Sequence, residues 1–212
     1  MVGSPSSIRI AERREASRRE IVDAAWEVAR EHGLAALTLR LVAERVGMRP
    51  PSLYSHFDSK HAIYDAMFGQ AWLEYEQAVA AEMAAPPRAP RETVHRVARC
   101  VFDFSTADLA RYQLMNQRSV PGFEPSAESY APAVRVLDAA VAQVESFGVT
   151  DRGAIDILLA LIGGMVDMQL ANDPGGDRWS QLLDRAVDMW ADAVGLPPDP
   201  PGAADPSHSD GA

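Results

Sequence analysis

Cysteine is nearly missing from this chain of 212 residues: Cys100 stands alone, so no internal disulfide can form. That suits a reducing compartment. Lysine is just as scarce, with Lys60 the only one, so arginine carries the basic charge. Long apolar runs are also lacking. The richest, Ile155 to Leu170, is broken by Asp156, Gly163-Gly164 and Asp167, and reads as too short and too polar to span a bilayer. Residues 1–20 are polar and basic with no apolar centre, so no secretory signal is expected, and the chain reads as cytoplasmic with no membrane partner. The five histidines are scattered, and H-E-x-x-H, C-x-x-C, G-x-S-x-G and a phosphate-binding glycine loop are all missing. Asp156 and Asp167 are separated by eleven residues, roughly 16 Å along a helix, too far for paired acid–base work. No catalytic residue, metal site or cofactor is expected.

What is present is ordinary in amount and uneven in placement. Apolar residues make up 47% of the chain and charged residues 24%, as in a soluble globular protein of one fold or two small ones. The net charge of −10 would argue against a nucleic-acid partner, but its distribution reverses that. Residues 1–60 hold ten Lys or Arg against eight Asp or Glu, whereas residues 61–212 hold ten against twenty-two. A phosphate-binding protein needs only a local basic face. Arg9, Arg13, Arg14, Arg18 and Arg19 crowd the start, interleaved with Glu12, Glu15 and Glu20. They suit either a solvated helix or a basic arm on DNA.

Residues 38–60, T-L-R-L-V-A-E-R-V-G-M-R-P-P-S-L-Y-S-H-F-D-S-K, predict two short helices and a tight turn. Thr38 suits an N-cap. Leu39, Val42, Ala43 and Val46 fall at helical spacing, and Gly47 allows a left-handed end. Pro50 and Pro51 fit only the first turn of a second helix, expected over about 51–57, with Leu53 and Phe57 inside. Such a unit can place its second helix in the major groove. Thr38 and Lys60 suit phosphates, and Arg40, Arg49, Ser52 and Ser55 suit base edges. His56 suits either packing or the backbone, and Pro50 is a further candidate for DNA contact.

This stretch resembles the DNA-binding domain of TetR-family transcriptional regulators. The family pattern, roughly T-x-x-x-[IV]-A-x-x-x-G-[VM]-x-x-x-x-[LI]-Y-x-[HY]-F-x-[SN]-K, is met at Thr38, Val42, Ala43, Gly47, Met48, Leu53, Tyr54, His56, Phe57, Ser59 and Lys60. Ile21 to Gly33 resembles that family's first helix, and the likeness covers about residues 15–75. Pro51 departs from a common glycine, and Ala29 from a usual large aromatic, whose volume Trp26 is placed to fill. The resemblance implies an all-α protein with a helix-turn-helix domain and a C-terminal helical domain for ligand binding and dimerisation. Tyr54 looks like the family's phosphate-contacting tyrosine.

Along the rest of the chain, Ser17 to Glu20 has capping-box spacing and Gly33 ends the first helix. Asp58 or Ser59 caps a long helix to about Ala84, and Ala85 to Pro90 is a hard stop. Helices are expected from Glu92 to Gln117 with a break near Thr106, from Ala133 to Phe147, from Asp151 to Ala171, and from Trp179 to Ala193. Ser119 to Pro132 reads as a long loop. No strand and no internal repeat is signalled. The expected domains are 1–60 for DNA, 61–196 for ligand and dimerisation, and a disordered tail at 197–212, rich in Pro, Gly, Ser, Asp and Ala.

For a small apolar or aromatic effector the candidate walls are Trp72, Phe102, Phe104, Tyr112, Met115, Phe123, Tyr130, Met165 and Met168. His95, Asn116 and Gln169 are candidate polar groups. The Asp151 to Ala171 helix, apolar nearly all round, and the last helix suggest a two-fold four-helix bundle through Leu158, Ile162, Trp179, Leu183, Ala186 and Trp190. Gly163-Gly164 suits close helix packing. The sequence thus points to a ligand-responsive homodimeric regulator, most simply a repressor, of a double-stranded DNA operator. An activator, a ligand-independent member or, in another class, a small helical enzyme are the alternatives.

Overall fold

The computed structural model describes residues 5–83 and 89–198. The expected tail, from residue 199 on, and most of the proline-rich stop at 85–90 lie outside them. Among the described residues there are helices and no strand. They are α1 (Pro5–His32), α2 (Leu39–Val46), α3 (Pro50–Tyr54), α4 (Lys60–Met83), α5 (Pro90–Thr106), α6 (Leu109–Asn116), α7 (Ala127–Ser146), α8 (Arg152–Asn172) and α9 (Leu183–Ala193).

Several boundaries move for identifiable reasons. Of the two starts open for the first helix, the Ser17 box or an extension back through the basic run, the second is found: α1 starts at Pro5, a residue suited to a first turn. The recognition helix ends at Tyr54 rather than Phe57. The break near Thr106 is real, and Asp108 caps α6 by accepting from the Arg111 amide at 3.1 Å. The loop before α7 is shorter than expected, because α7 begins at Ala127 and runs through Pro132. Asp65 of α4 makes this possible. Its carboxylate accepts from the Ser126 amide at 2.6 Å and from the Ser126 and Ser129 hydroxyls at 2.8 and 2.9 Å. That satisfies donors at the α7 start and holds it against α4.

Packing divides the chain into two compact units that do not follow chain order. One comprises Met1–Glu76 with Ala107–Arg135, the other Gln77–Thr106 with Val136–Ala212. The first unit extends past residue 60 because the helix-turn-helix core is shared. Ile21, Ala25 and Val28 of α1, Val42 and Ala43 of α2, Leu53 of α3 and Phe57 just after it meet Ile63, Tyr64, Met67 and Phe68 of α4. Ala110 and Leu114 of α6 join the same cluster. Each large side chain so enclosed stabilises the unit by about 1.5–3 kcal/mol. Trp26 and Ala29 are both buried in this cluster, and the Trp26 indole N–H donates to Gln70 at 2.9 Å. The Tyr64 hydroxyl donates to the Leu34 carbonyl, and burial raises its pKa.

In the second unit, α8 is capped by Asp151, whose carboxylate accepts from the Gly153 amide at 2.9 Å. Its Ala154, Ile155, Leu158, Ile162, Met165 and Val166 side is buried, and the helix packs on α5 and α9. The Trp190 indole N–H donates to the Ala154 carbonyl at 2.8 Å. A polar ladder joins α5 to α9. Arg91, His95 and Arg99, one turn apart, face Asp192, Asp188 and Asp184 at 2.5, 2.9 and 3.0 Å. Arg91 also donates to the Leu196 carbonyl.

Within the protomer α8 is covered on one side only. Ile157 is 62% exposed and Met168 41%, since α5 and α9 cover only one side of it. By length and composition alone α8 would suffice to cross a membrane, against the sequence expectation, although its inner side is used as soluble packing.

Candidate nucleic-acid interface

The helix-turn-helix forms as its residue chemistry dictates. Thr38 is extended, and its hydroxyl accepts from the Leu41 amide at 3.2 Å, which closes the first turn of α2. Gly47 ends α2 with φ at +75°, where a side chain would be strained, and the Met48 amide then donates to the Ala43 carbonyl at 2.8 Å. Arg49 leads the chain, extended, into Pro50 and Pro51, which carry no amide hydrogen and open α3. Leu53 and Phe57, at 0% and 1% exposure, anchor this segment in the core.

Anchoring those two residues turns the others outward. Arg40, Arg49, Pro50, Ser52, Tyr54 and Ser55 are exposed, with Thr38 at one end and Lys60 opening α4 at the other. The Ser55 hydroxyl donates to the Ser52 carbonyl at 2.6 Å. The Lys60 ammonium lies over the Tyr64 ring at 5.6 Å. His56 is half-buried with an unpartnered Nδ1, between solvent and packing. All nine candidates for DNA contact therefore fall on one continuous segment, and most of them are open to solvent. Arg45 behaves differently: it pairs with Glu27 and Glu31 of α1, and its guanidinium pulls the Glu31 pKa down.

Two arginines that the sequence left as surface or arm residues also reach this segment. Arg14 donates to the Ser55 carbonyl at 3.4 Å, and Arg18 donates to the His56 carbonyl. Their spacing of four puts both on one side of α1, but nothing in the local sequence names the carbonyls they meet.

The effector candidates fall half in each unit. In the first, Phe123 lies among His61, Tyr64 and Phe68 at ring separations of 5.7–6.3 Å. Tyr130 stacks on Phe68 at 6.1 Å, and Trp72 meets Tyr75 edge-on at 5.3 Å. Trp72 leaves its indole nitrogen buried without a partner. Tyr112 is buried, Met115 packs on the core, and Asn116 is exposed, donating to the Tyr112 carbonyl at 3.3 Å.

In the second unit, Phe102 and Met165 are buried, Phe104 is half-buried and Met168 is exposed. His95 is engaged with Asp188, and Gln169 is committed to the turn after α8. The Gln169 amide donates to the Asp173 and Gly176 carbonyls and accepts from the Trp179 amide. A cleft of about 220 Å³ in the first unit holds none of these candidates; Asp23, Trp26, Glu27, Arg30, Gln70, Glu74 and Arg111 line it.

The residues proposed for self-association divide by burial. Leu158, Ile162, Leu183 and Trp190 are enclosed in their own unit, while Ala186 and Trp179 are half-buried. The large exposed apolar residues of this region are instead Ile157, Leu159, Met168, Leu182 and Met189. A Cβ on Gly163 or Gly164 would meet nothing within 4 Å, so these glycines serve no close packing inside the chain.

A core-anchored helix-turn-helix with polar and basic side chains turned outward defines a DNA-binding protein of the transcription-regulator class. Residues 21–67 match the profile of bacterial regulatory proteins of the tetR family, which supports a TetR-family transcriptional regulator. It is 25% identical over 190 residues to the tetracycline repressor protein class A from transposon 1721 of Escherichia coli, covering 82% of this chain and 80% of that one. To the class D repressor of Escherichia coli it is 39% identical over 51 residues, 24% of this chain and 23% of the relative. Among solved structures, the transcriptional regulator FadR from Bacillus subtilis in complex with stearoyl-CoA superposes with a TM-score of 0.67 at 16% identity, covering 81% and 96% of the two chains.

Proposed function

We propose that this TetR-family regulator is a homodimeric repressor that leaves a near-palindromic operator when a small apolar or aromatic molecule binds. The observation that carries the DNA half is the outward set from Thr38 to Lys60, held in place by Leu53 and Phe57. Thr38, Tyr54 and Lys60 take phosphates, while Arg40, Arg49, Ser52 and Ser55 face base edges, Pro50 lies among them, and His56 either supports packing or meets the DNA backbone. Residues 1–60 carry this task, and residues 61–196 carry effector binding and self-association. Acting on chromosomal DNA by binding rather than catalysis, the protein belongs in the cytoplasm.

The exposed Ile157, Met168 and Met189, with Gly164 open beside them, support pairing of α8 and α9 with their copies. A two-fold pair presents two recognition helices, which is why the site is expected to be near-palindromic. The effector reading rests on Trp72, Phe102, Phe104, Phe123, Tyr130, Met165 and Met168, and the stearoyl-CoA held by the Bacillus subtilis structure supports an apolar class. An effector must favour the DNA-incompetent state. A tenfold loss of operator affinity requires about 1.4 kcal/mol of coupling.

Selection of bound DNA from a random pool tests the proposal. The expected product is one near-palindromic sequence, released when a hydrophobic compound that raises the melting temperature is added. Recovery of no enriched sequence would remove the DNA reading, and thermal stabilisation without release would remove the switch.

A further inference from the structure

The recognition helix is the least self-sufficient helix described. It has five residues, too few to hold themselves helical, and one buried side chain, Leu53. Its N-terminal side is fixed by the turn at Gly47. Beyond Tyr54 the chain reverses towards α4, and the amides of His56 and Phe57 return to the Leu53 carbonyl at 2.9 and 3.0 Å. The carbonyls of Ser55 and His56 look outward from this reversal and accept from Arg14 and Arg18 of α1. Cations suit this place, since helix C-termini carry partial negative charge. Arg18 has a second hold, because its guanidinium lies 4.1 Å from the centre of the buried Phe57 ring. A planar, forked cation fixed by a carbonyl on one side and a ring face on the other has little freedom left. Both arginines precede residue 21, where the family match begins.

We infer that Arg18, seconded by Arg14, is a positioning residue that clamps the C-terminal end of the recognition helix and so sets the precision of base reading. The inference rests on the DNA-binding reading above and assigns Arg18 a role other than phosphate contact. A phosphate contact would raise affinity for every sequence alike, whereas a clamp on α3 acts only where α3 must fit base edges.

The test uses the full chain and two readouts. In the DNA-free protein, hydrogen exchange at the His56 and Phe57 amides is measured for wild type, Arg18→Met and Arg14→Ala. About tenfold faster exchange is expected in Arg18→Met and a smaller change in Arg14→Ala; unchanged exchange overturns the clamp whether or not the protein binds DNA. With the selected operator, Arg18→Met is expected to cut the ratio of specific to non-specific affinity about tenfold, with non-specific affinity changing less than twofold. Parallel loss of both affinities, with a salt slope lower by about 1, would instead show a phosphate contact and overturn the proposal. Arg18→Lys keeps the charge without the fork and carries the same test should Arg18→Met not fold. It is expected to leave the affinity ratio low, and full recovery would mean that charge alone matters.

Discussion

The two packing units enclose their apolar residues in different ways. The first closes a core of Tyr64, Phe57, Leu53, Met67 and Phe68 whose members come from α1 to α4 and α6. Its outward side chains near the recognition helix are polar or basic, apart from Tyr54, Pro50 and Pro51. The second encloses Leu158, Ile162, Leu183 and Trp190, ties α5 to α9 with a ladder of charges, and leaves Ile157 and Met189 more than 60% exposed. A surface that displays polar groups suits DNA. One that displays large aliphatic groups on two neighbouring helices suits a further layer of protein. The contrast lies between two faces: the one around the recognition helix is mainly polar, and the one formed by α8 and α9 is apolar at Ile157, Met168 and Met189.

The largest effect expected is on the first unit. Phe57→Ala removes a core ring together with the platform under Arg18, and should cost about 3–5 kcal/mol in denaturant unfolding. A loss below about 1 kcal/mol would mean that this core is looser than its burial implies. Next comes the apolar face of the second unit. The double change Ile157→Asp with Met189→Asp, both outside the protomer's own core, should weaken self-association at least about 100-fold, or about 2.8 kcal/mol. Sedimentation would read this, and an unchanged assembly would place the partner elsewhere. The melting temperature of wild type should also rise with concentration, whereas that of the double variant should not.

Smaller in effect is the ladder. Arg91→Met leaves the Leu196 carbonyl and the Asp192 carboxylate without their donor and should cost about 1–3 kcal/mol by thermal unfolding. The smallest effect concerns Glu76, which Arg135 holds below the usual carboxylate range, chiefly through a side-chain hydrogen bond. A carboxylate with a depressed folded pKa stabilises above its unfolded value of 4.5 and loses that contribution as pH falls through the folded value. Glu76→Gln should therefore be slightly less stable than wild type at neutral pH, and the difference should vanish as acid protonates Glu76 in the folded protein.

How much of this was legible in the sequence follows the range of the interactions. Thr38, Gly47 and Pro50 act on backbone within a few residues of themselves, and each was read in place. The inward Leu53 and Phe57 obey helical spacing, so the outward set followed from them. What depended on distant partners was not legible. Nothing near Arg18 announces a carbonyl 38 residues away. Nothing near Pro132 announces that Asp65 secures the start of its helix. Leu158 and Ile162 were marked for an interface because α8 is apolar all round, and such a pattern cannot say which stripe its own chain will cover. Gln169, offered as a ligand group, is taken up by Asp173, Gly176 and Trp179, a local net that composition does not reveal.

The single lysine has a use that reaches beyond its charge. Lys60 opens α4 at the edge of the DNA-facing segment, over the Tyr64 ring, and no other side chain in the protein carries a primary amine. An amine-selective reagent therefore has one side-chain address, and it lies at the edge of the segment proposed to contact DNA. Acylation there erases a positive charge at that place alone, so the molecule carries a built-in footprinting probe. A reagent that marks Lys60 in the free protein and spares it in the complex would count occupied operators directly, without any engineered label.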